Sequence, residues 1–240
     1  MRNQIEFKLY GKYALFSDPV TRVGGEKFSY QIPTYQALKG ICESIYWKPT
    51  FRWVIDEIRV LNPIRTENKG IRPINYHDSK NTLSFYTYLY DVEYEVRAHF
   101  EWNENRQDLE QDRNENKHYF VAKRMLERGG RRDIFLGTRE CQAYVEPVVF
   151  GHKTGFYDTY GDLQFDNMFF GFDYPSDTGK EEFGAYFWRP LMFNGVIKFP
   201  TSTIDMHYKF IKKMSFEKLE TLGLEEKGLL DGYEEGVSIW

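Results

Sequence analysis

The sequence predicts an α+β fold, with a ferredoxin-like, RRM-like amino-terminal domain over residues 1–150 and a smaller antiparallel β-sheet domain over residues 151–240. Three observations predict it. Apolar periods of two and of 3.6 follow one another as strand, helix, strand, strand, helix, strand, which is the split βαβ order. Beyond residue 150 the periods shorten to aromatic segments divided by Gly, Asp and Asn. The 240 residues are 41% hydrophobic and 18% aromatic, enough for a substantial core in one large unit or two smaller ones.

In order, IEFKLYG at residues 5–11 alternates, so Ile5, Phe7 and Leu9 share one face of a strand. A glycine-containing loop over 11–31 follows. Pro33 and Thr34 announce a helix with Thr34 as N-cap, its stripe made by Leu38, Ile41 and Ile45, and Pro49 ends it. FRWVIDEIRVLNP, residues 51–63, reads as a strand, and IRTENKGIRPINYHD as a basic, turn-rich connection. Residues 82–102 alternate long enough for a strand or strand pair, with Tyr86, Tyr88 and Tyr90 opposite Phe85 and Leu89. An acidic loop over 101–115 leads to NKHYFVAKRMLERGG, a helix opened by Asn116 and closed by Gly129-Gly130. Residues 134–150 form one strand or a hairpin broken near Gly137. The helices cover one sheet face, leaving the other free to meet a ligand. The tail from about Ser215 is acidic, with a weak helical pattern.

No apolar run approaches the roughly 20 residues of a membrane span, and the polar start lacks a signal-peptide core, so a cytoplasmic protein is expected. Cys42 and Cys141 read as reduced core thiols. The net charge of −4 counts against a nucleic-acid partner. It is unevenly spread, however: residues 1–150 carry 23 Lys and Arg against 21 Asp and Glu, while residues 151–240 carry 9 against 15. Any RNA-binding face therefore belongs to the first part. Candidate contacts are Arg22 and Lys27 in the first loop, Arg65, Lys69 and Arg72 in the basic connection, and Arg131, Arg132 and Arg139 around Gly137, a glycine that would let a backbone approach RNA. Solvated basic turns are the plain alternative.

Signatures for phosphate loops, dinucleotide sites, zinc proteases and serine hydrolases are missing from the sequence, and its carboxylates make no recognisable two-metal pattern. An enzyme here would work with side chains alone, with no cofactor. The densest candidate is Lys117-His118. Val121, Ala122, Met125 and Leu126 lie within about 80° of His118, so its imidazole faces the apolar side near the helix start. On spacing alone, a core histidine satisfied by a backbone carbonyl is the favoured reading. A helix amino terminus disfavours positive charge, though, and a neutral imidazole can accept a proton while a neighbouring lysine stabilises a phosphorane. Tyr46, near 80° from Leu38, sits on the shoulder of the first helix and could meet His118. A half-buried packing tyrosine is the alternative.

The strings FKLYGKYALFSDP, PTYQALKGICESIYWKP, FRWVIDEIRVLNPIRTENKG and RRDIFLGTREC resemble the d subtype of the fifth Cas protein family, which serves type I-C CRISPR systems. The resemblance takes in nearly the whole chain up to about residue 215. It implies an RRM-like (RAMP) domain and metal-independent cleavage of the repeat hairpin of precursor CRISPR RNA, with the product's 5′ handle retained. It also implies docking to a Cas-seven-type backbone subunit and a large subunit. The family's tyrosine and lysine-histidine pair match Tyr46, Lys117 and His118. Two other readings compete: a non-catalytic subunit that only holds the 5′ handle, and a protein-interaction module whose aromatics are core.

Overall fold

The computed structural model describes residues 3–214 apart from 20, 22–24, 75–80, 179 and 205. The expected contact Arg22 and the acidic tail lie outside the described residues. The first strand, β1 (Gln4–Ala14), runs three residues past its predicted end, and β2 (Lys27–Phe28) pairs parallel to a later strand. Helix α1 (Tyr35–Ile45) starts at Thr34, whose hydroxyl accepts from the Ala37 N–H, and buries Leu38, Ile41, Cys42 and Ile45. Strand β3 (Phe51–Val60) follows.

The connection expected to be turn-rich holds a strand, β4 (Thr66–Ile71). Its TENKGI has no apolar alternation, so pairing rather than sequence pattern makes it extended. The partner is β5 (Ser84–Trp102), one continuous strand of 19 residues. Its length has a physical reason. Along one edge it serves β4 with residues 84–89 and then β3 with residues 94–102, while β1 runs along the other edge. Helix α2 (Glu115–Glu127) is capped by Asn114, whose side chain accepts from the Lys117 N–H. The capping asparagine thus stands two residues before the expected Asn116. Gly129 and Gly130, both at positive φ, close the helix. Strands β6 (Ile134–Phe135) and β7 (Gln142–Pro147) form the hairpin around Gly137.

After residue 150 come β8 (Asp162–Gln164), β9 (Met168–Asp173), β10 (Glu182–Trp188), β11 (Leu191–Phe193), β12 (Val196–Lys198) and β13 (His207–Lys213). Among the described residues the main sheet runs β6-β7-β1-β5-β3-β12-β11-β8, with β2 and β4 also on β5; a second antiparallel sheet runs β13-β10-β9. Strands β8, β11 and β12 therefore extend the first sheet rather than the second, because β12 pairs with β3 from Val196↔Arg59 to Lys198↔Glu57. Among the described residues no helix is long and apolar enough to cross a membrane. Cys42 and Cys141 are buried and unpaired.

Ile5, Phe7 and Leu9 face the helices and join Val96, Ala98, Trp53, Ile55, Leu38, Ile41 and Leu126 in one core. The opposite face is not the open platform that the element order suggested. Arg97 bridges Glu6, at 2.8 Å, and Glu57, its cross-strand neighbours, while Arg59 lies between Glu95, at 3.4 Å, and Asp158, at 2.6 Å. The chain from Phe150 to Asp158 crosses this layer: the Phe150 and Gly151 N–H groups donate to Glu6 and Glu95, and Lys153 pairs with Glu93 at 2.6 Å. An acidic, covered face is a poor seat for RNA.

His99 on that face donates from Nδ1 to Asp56 at 2.8 Å, and this bond, with Glu101 nearby, raises its pKa above the usual 6.5. A raised value means stabilisation fully present below the unfolded-state pKa and lost as pH rises through the folded one. Urea unfolding should therefore show stability falling from pH 6 towards 8, with the slope reduced in His99→Gln. An unchanged slope would remove His99 as the cause.

Candidate active site

The two helix ends bring the expected pair together. Tyr46 is the C-cap of α1, already extended at φ −161° and ψ 131°, so the helical projection stops one residue short of it. Its N–H donates to the Cys42 carbonyl, and its own carbonyl accepts from Trp53 Nε1 at 2.7 Å. That leaves the phenol pointing at α2. Oη stands 2.9 Å from Nδ1 of His118, the fourth residue of α2.

The other ring nitrogen fixes the proton. Nε2 of His118 lies 2.8 Å from the backbone carbonyl of Asp112, which can only accept, so Nε2 carries the hydrogen and Nδ1 accepts from the phenol. Phe51, Phe100 and Trp102 surround the imidazole at centroid distances of 5.2, 6.4 and 5.8 Å. His118 is 0% and Tyr46 4% exposed. Burial, helped by the nearby Asp112 charge, pushes the phenol's pKa up, so at neutral pH it is protonated and a donor; Arg131 works against that shift.

Lys117 is the solvent-exposed member, and its ammonium pairs with the Asp112 carboxylate. The same carboxylate accepts from Thr50 Oγ1 at 2.7 Å. Those two hydrogen bonds hold Asp112 below the usual carboxylate range. Thr50 and Asp112 escape a sequence reading, since one follows a proline turn and the other sits in an acidic loop without period.

The expected RNA contacts divide between two places. Arg131 lies close enough to Tyr46 to act on its charge, and the Arg131 and Arg132 N–H groups donate to Ser44 at the end of α1. Lys27 stands over Tyr86 at 4.8 Å, Arg65 over Tyr90 at 5.6 Å while pairing with Asp91, and Lys69 over Tyr13 at 3.1 Å. Arg72 and Arg139 are exposed, and Arg139 precedes Glu140, which the Tyr88 hydroxyl reaches. From Tyr90 to Trp102 is roughly 40 Å of strand, so this second group cannot join the Tyr46–His118 site on one nucleotide. Gly137 admits a backbone closely, but it is that of Leu15 rather than RNA: a Cβ there would stand 2.1 Å from the Leu15 carbonyl oxygen.

The family model described as CRISPR-associated protein, Cas5, in its d form, matches residues 4–200. The chain belongs to this family. Two curated relatives bear the name CRISPR pre-crRNA endoribonuclease Cas5d. One, from Mannheimia succiniciproducens, is 46% identical over 68 residues, 28% of this chain and 29% of the relative. The other, from Thermus thermophilus, is 32% identical over 154 residues, 60% of this chain and 64% of the relative. The matches thus span less than two thirds of either relative. Among solved structures, a CRISPR-associated protein superposes with TM-score 0.72 at 36% identity, covering 85% of this Cas5 chain and 94% of its own. The Streptococcus mutans protein SMU1763c, described as functionally uncharacterized, gives 0.69 at 40%, covering 82% and 92%. This Cas5 chain therefore shares a mixed α/β, largely antiparallel fold with them.

Proposed function

We propose that this Cas5 protein is a metal-independent endoribonuclease that cleaves the repeat hairpin of precursor CRISPR RNA and then stays on the 5′ handle of the product. The observation that carries the proposal is the 2.9 Å contact between Tyr46 Oη and His118 Nδ1, with the Lys117 ammonium on the Asp112 carboxylate that lies 3.4 Å from Nε2 of the same ring. The names of the two curated relatives agree with it. In the mechanism, the ribose 2′-hydroxyl passes its proton to Tyr46 as the phenol passes its own to His118, and the 2′-oxygen attacks the adjacent phosphorus in line. Lys117 neutralises the phosphorane and supplies the proton taken up by the departing 5′-oxygen. Products are a 2′,3′-cyclic phosphate and a 5′-hydroxyl.

The order β7-β1-β5-β3, with α1 and α2 on one face, supports a ferredoxin-like (RAMP) unit in residues 1–150, and the β13-β10-β9 sheet a smaller one beyond. Partners would be the repeat RNA, a Cas-seven-type backbone subunit and the large subunit of a type I-C complex, in the cytoplasm. With the covered sheet face excluded, the hairpin would lie across the helix-end side and be read by shape and 2′-hydroxyls.

The rival, a subunit that holds the handle without cutting, is favoured by the burial of His118 against a backbone carbonyl. Purified protein incubated with repeat RNA decides between them. Cutting should survive EDTA and stop with a 2′-deoxy nucleotide before the scissile phosphate; loss with EDTA and cutting of the deoxy RNA would reverse the assignment.

A further inference from the structure

The Tyr46–His118 contact is closed to solvent, yet a phosphodiester has to meet it. One wall is the segment between β5 and α2, and through it the protein delivers its own anion. The Asp112 carboxylate takes the Lys117 ammonium, accepts from Thr50 at 2.7 Å and lies 3.4 Å from His118 Nε2. An ammonium and a hydroxyl converging on one negative charge are donors of the kind that a non-bridging phosphate oxygen needs. Thr50 is itself 1% exposed, so its hydroxyl is held in direction by packing.

Building on the nuclease reading above, we infer that Thr50 and Lys117 form a seat for a phosphate of the RNA substrate, which the Asp112 carboxylate fills until RNA displaces it. The cover is loosely built: the 3₁₀ helix Gln107–Asp112 buries none of its residues, which puts it at the low-stability end of the molecule. It is also anionic, with six acidic residues against two basic ones over 101–115, so an incoming polyanion repels the segment it replaces. Beyond the seat, Lys117, Phe120 and Arg124 line a groove along α2 where the adjoining chain can run. Thr50 thus becomes a substrate-contacting residue, and Asp112 sets how readily the seat empties. The His118 contact is to the backbone of residue 112, so it survives replacement of that side chain.

The test is binding of repeat RNA carrying a 2′-deoxy nucleotide before the scissile phosphate, followed by fluorescence anisotropy, alongside cleavage of the all-ribose RNA. Asp112→Ala should tighten binding about five-fold or more by removing the competing anion. Glu110→Ala removes an equal charge from the same 3₁₀ helix outside the seat and should tighten it by less than about two-fold. Thr50→Val should weaken binding about ten-fold, and Thr50→Ser should restore it. If Asp112→Ala weakens binding, or does no more than Glu110→Ala, the carboxylate is a loop anchor and the seat is wrong. Failure of Thr50→Ser to recover what Thr50→Val loses would remove Thr50 from it. Wild-type protein that binds the RNA without cutting it, with Asp112→Ala still tightening, would overturn the nuclease reading and leave the seat standing.

Discussion

A His118→Ala protein is expected to cut repeat RNA about 10³-fold more slowly than wild type, the middle of the range for a positioned acid-base group. The imidazole is the acceptor for the Tyr46 proton, and the described residues offer no second acceptor beside that phenol: the next titratable group, Asp112, is engaged by Lys117 and Thr50. Tyr46→Phe removes a single oxygen and keeps the ring packing against Phe51. It should slow the reaction about 10²-fold while leaving Nδ1 of a buried imidazole unpaired, at about 1–3 kcal/mol of stability. Because the two groups act as one relay, the double variant should be no slower than His118→Ala alone. Single-turnover cleavage with thermal unfolding of each variant separates chemistry from folding. Wild-type cutting by a folded His118→Ala, or multiplied losses in the double variant, would dismantle the relay.

The parts of the fold legible in the sequence are those whose stabilisation is local. Thr34 caps α1 through its own third neighbour, α1 carries a helical stripe, and β1 and β3 alternate through Leu9 and Ile55, so their places follow from residues 4–60 alone. Strand β4 could not be seen, because TENKGI is made a strand by β5 across the hairpin. Nor could the covering of the second sheet face, which depends on the Phe150 and Gly151 N–H groups finding Glu6 and Glu95 from 144 and 56 residues away. The site shows the same division. Helix periodicity puts His118 on the apolar side and Tyr46 at a helix end, and the order of elements allows the two ends to meet. Thr50 in a turn and Asp112 at the end of a 3₁₀ helix, 62 residues apart, become neighbours only through the finished packing.

Gly137 marks the same boundary, and its replacement should have the largest effect on stability. The glycine holds φ 88° in the β6–β7 turn, a conformation that costs a residue with a Cβ about 1 kcal/mol. Sterics add more. A Cβ would lie 2.1 Å from the Leu15 carbonyl oxygen and 2.7 Å from its carbon, and these backbone atoms cannot rotate away as a side chain would. The Leu15 N–H donates to the Leu136 carbonyl at 3.0 Å, so relief of the clash would pull the turn off the chain just after β1. Gly137→Ala should then cost about 3 kcal/mol or more, lowering Tm by roughly 6–12 °C. Since Leu136 and Cys141 are core residues beside that turn, folding should suffer before RNA affinity does. A Gly137→Ala protein of wild-type Tm but weakened repeat-RNA binding would return the glycine to the RNA interface.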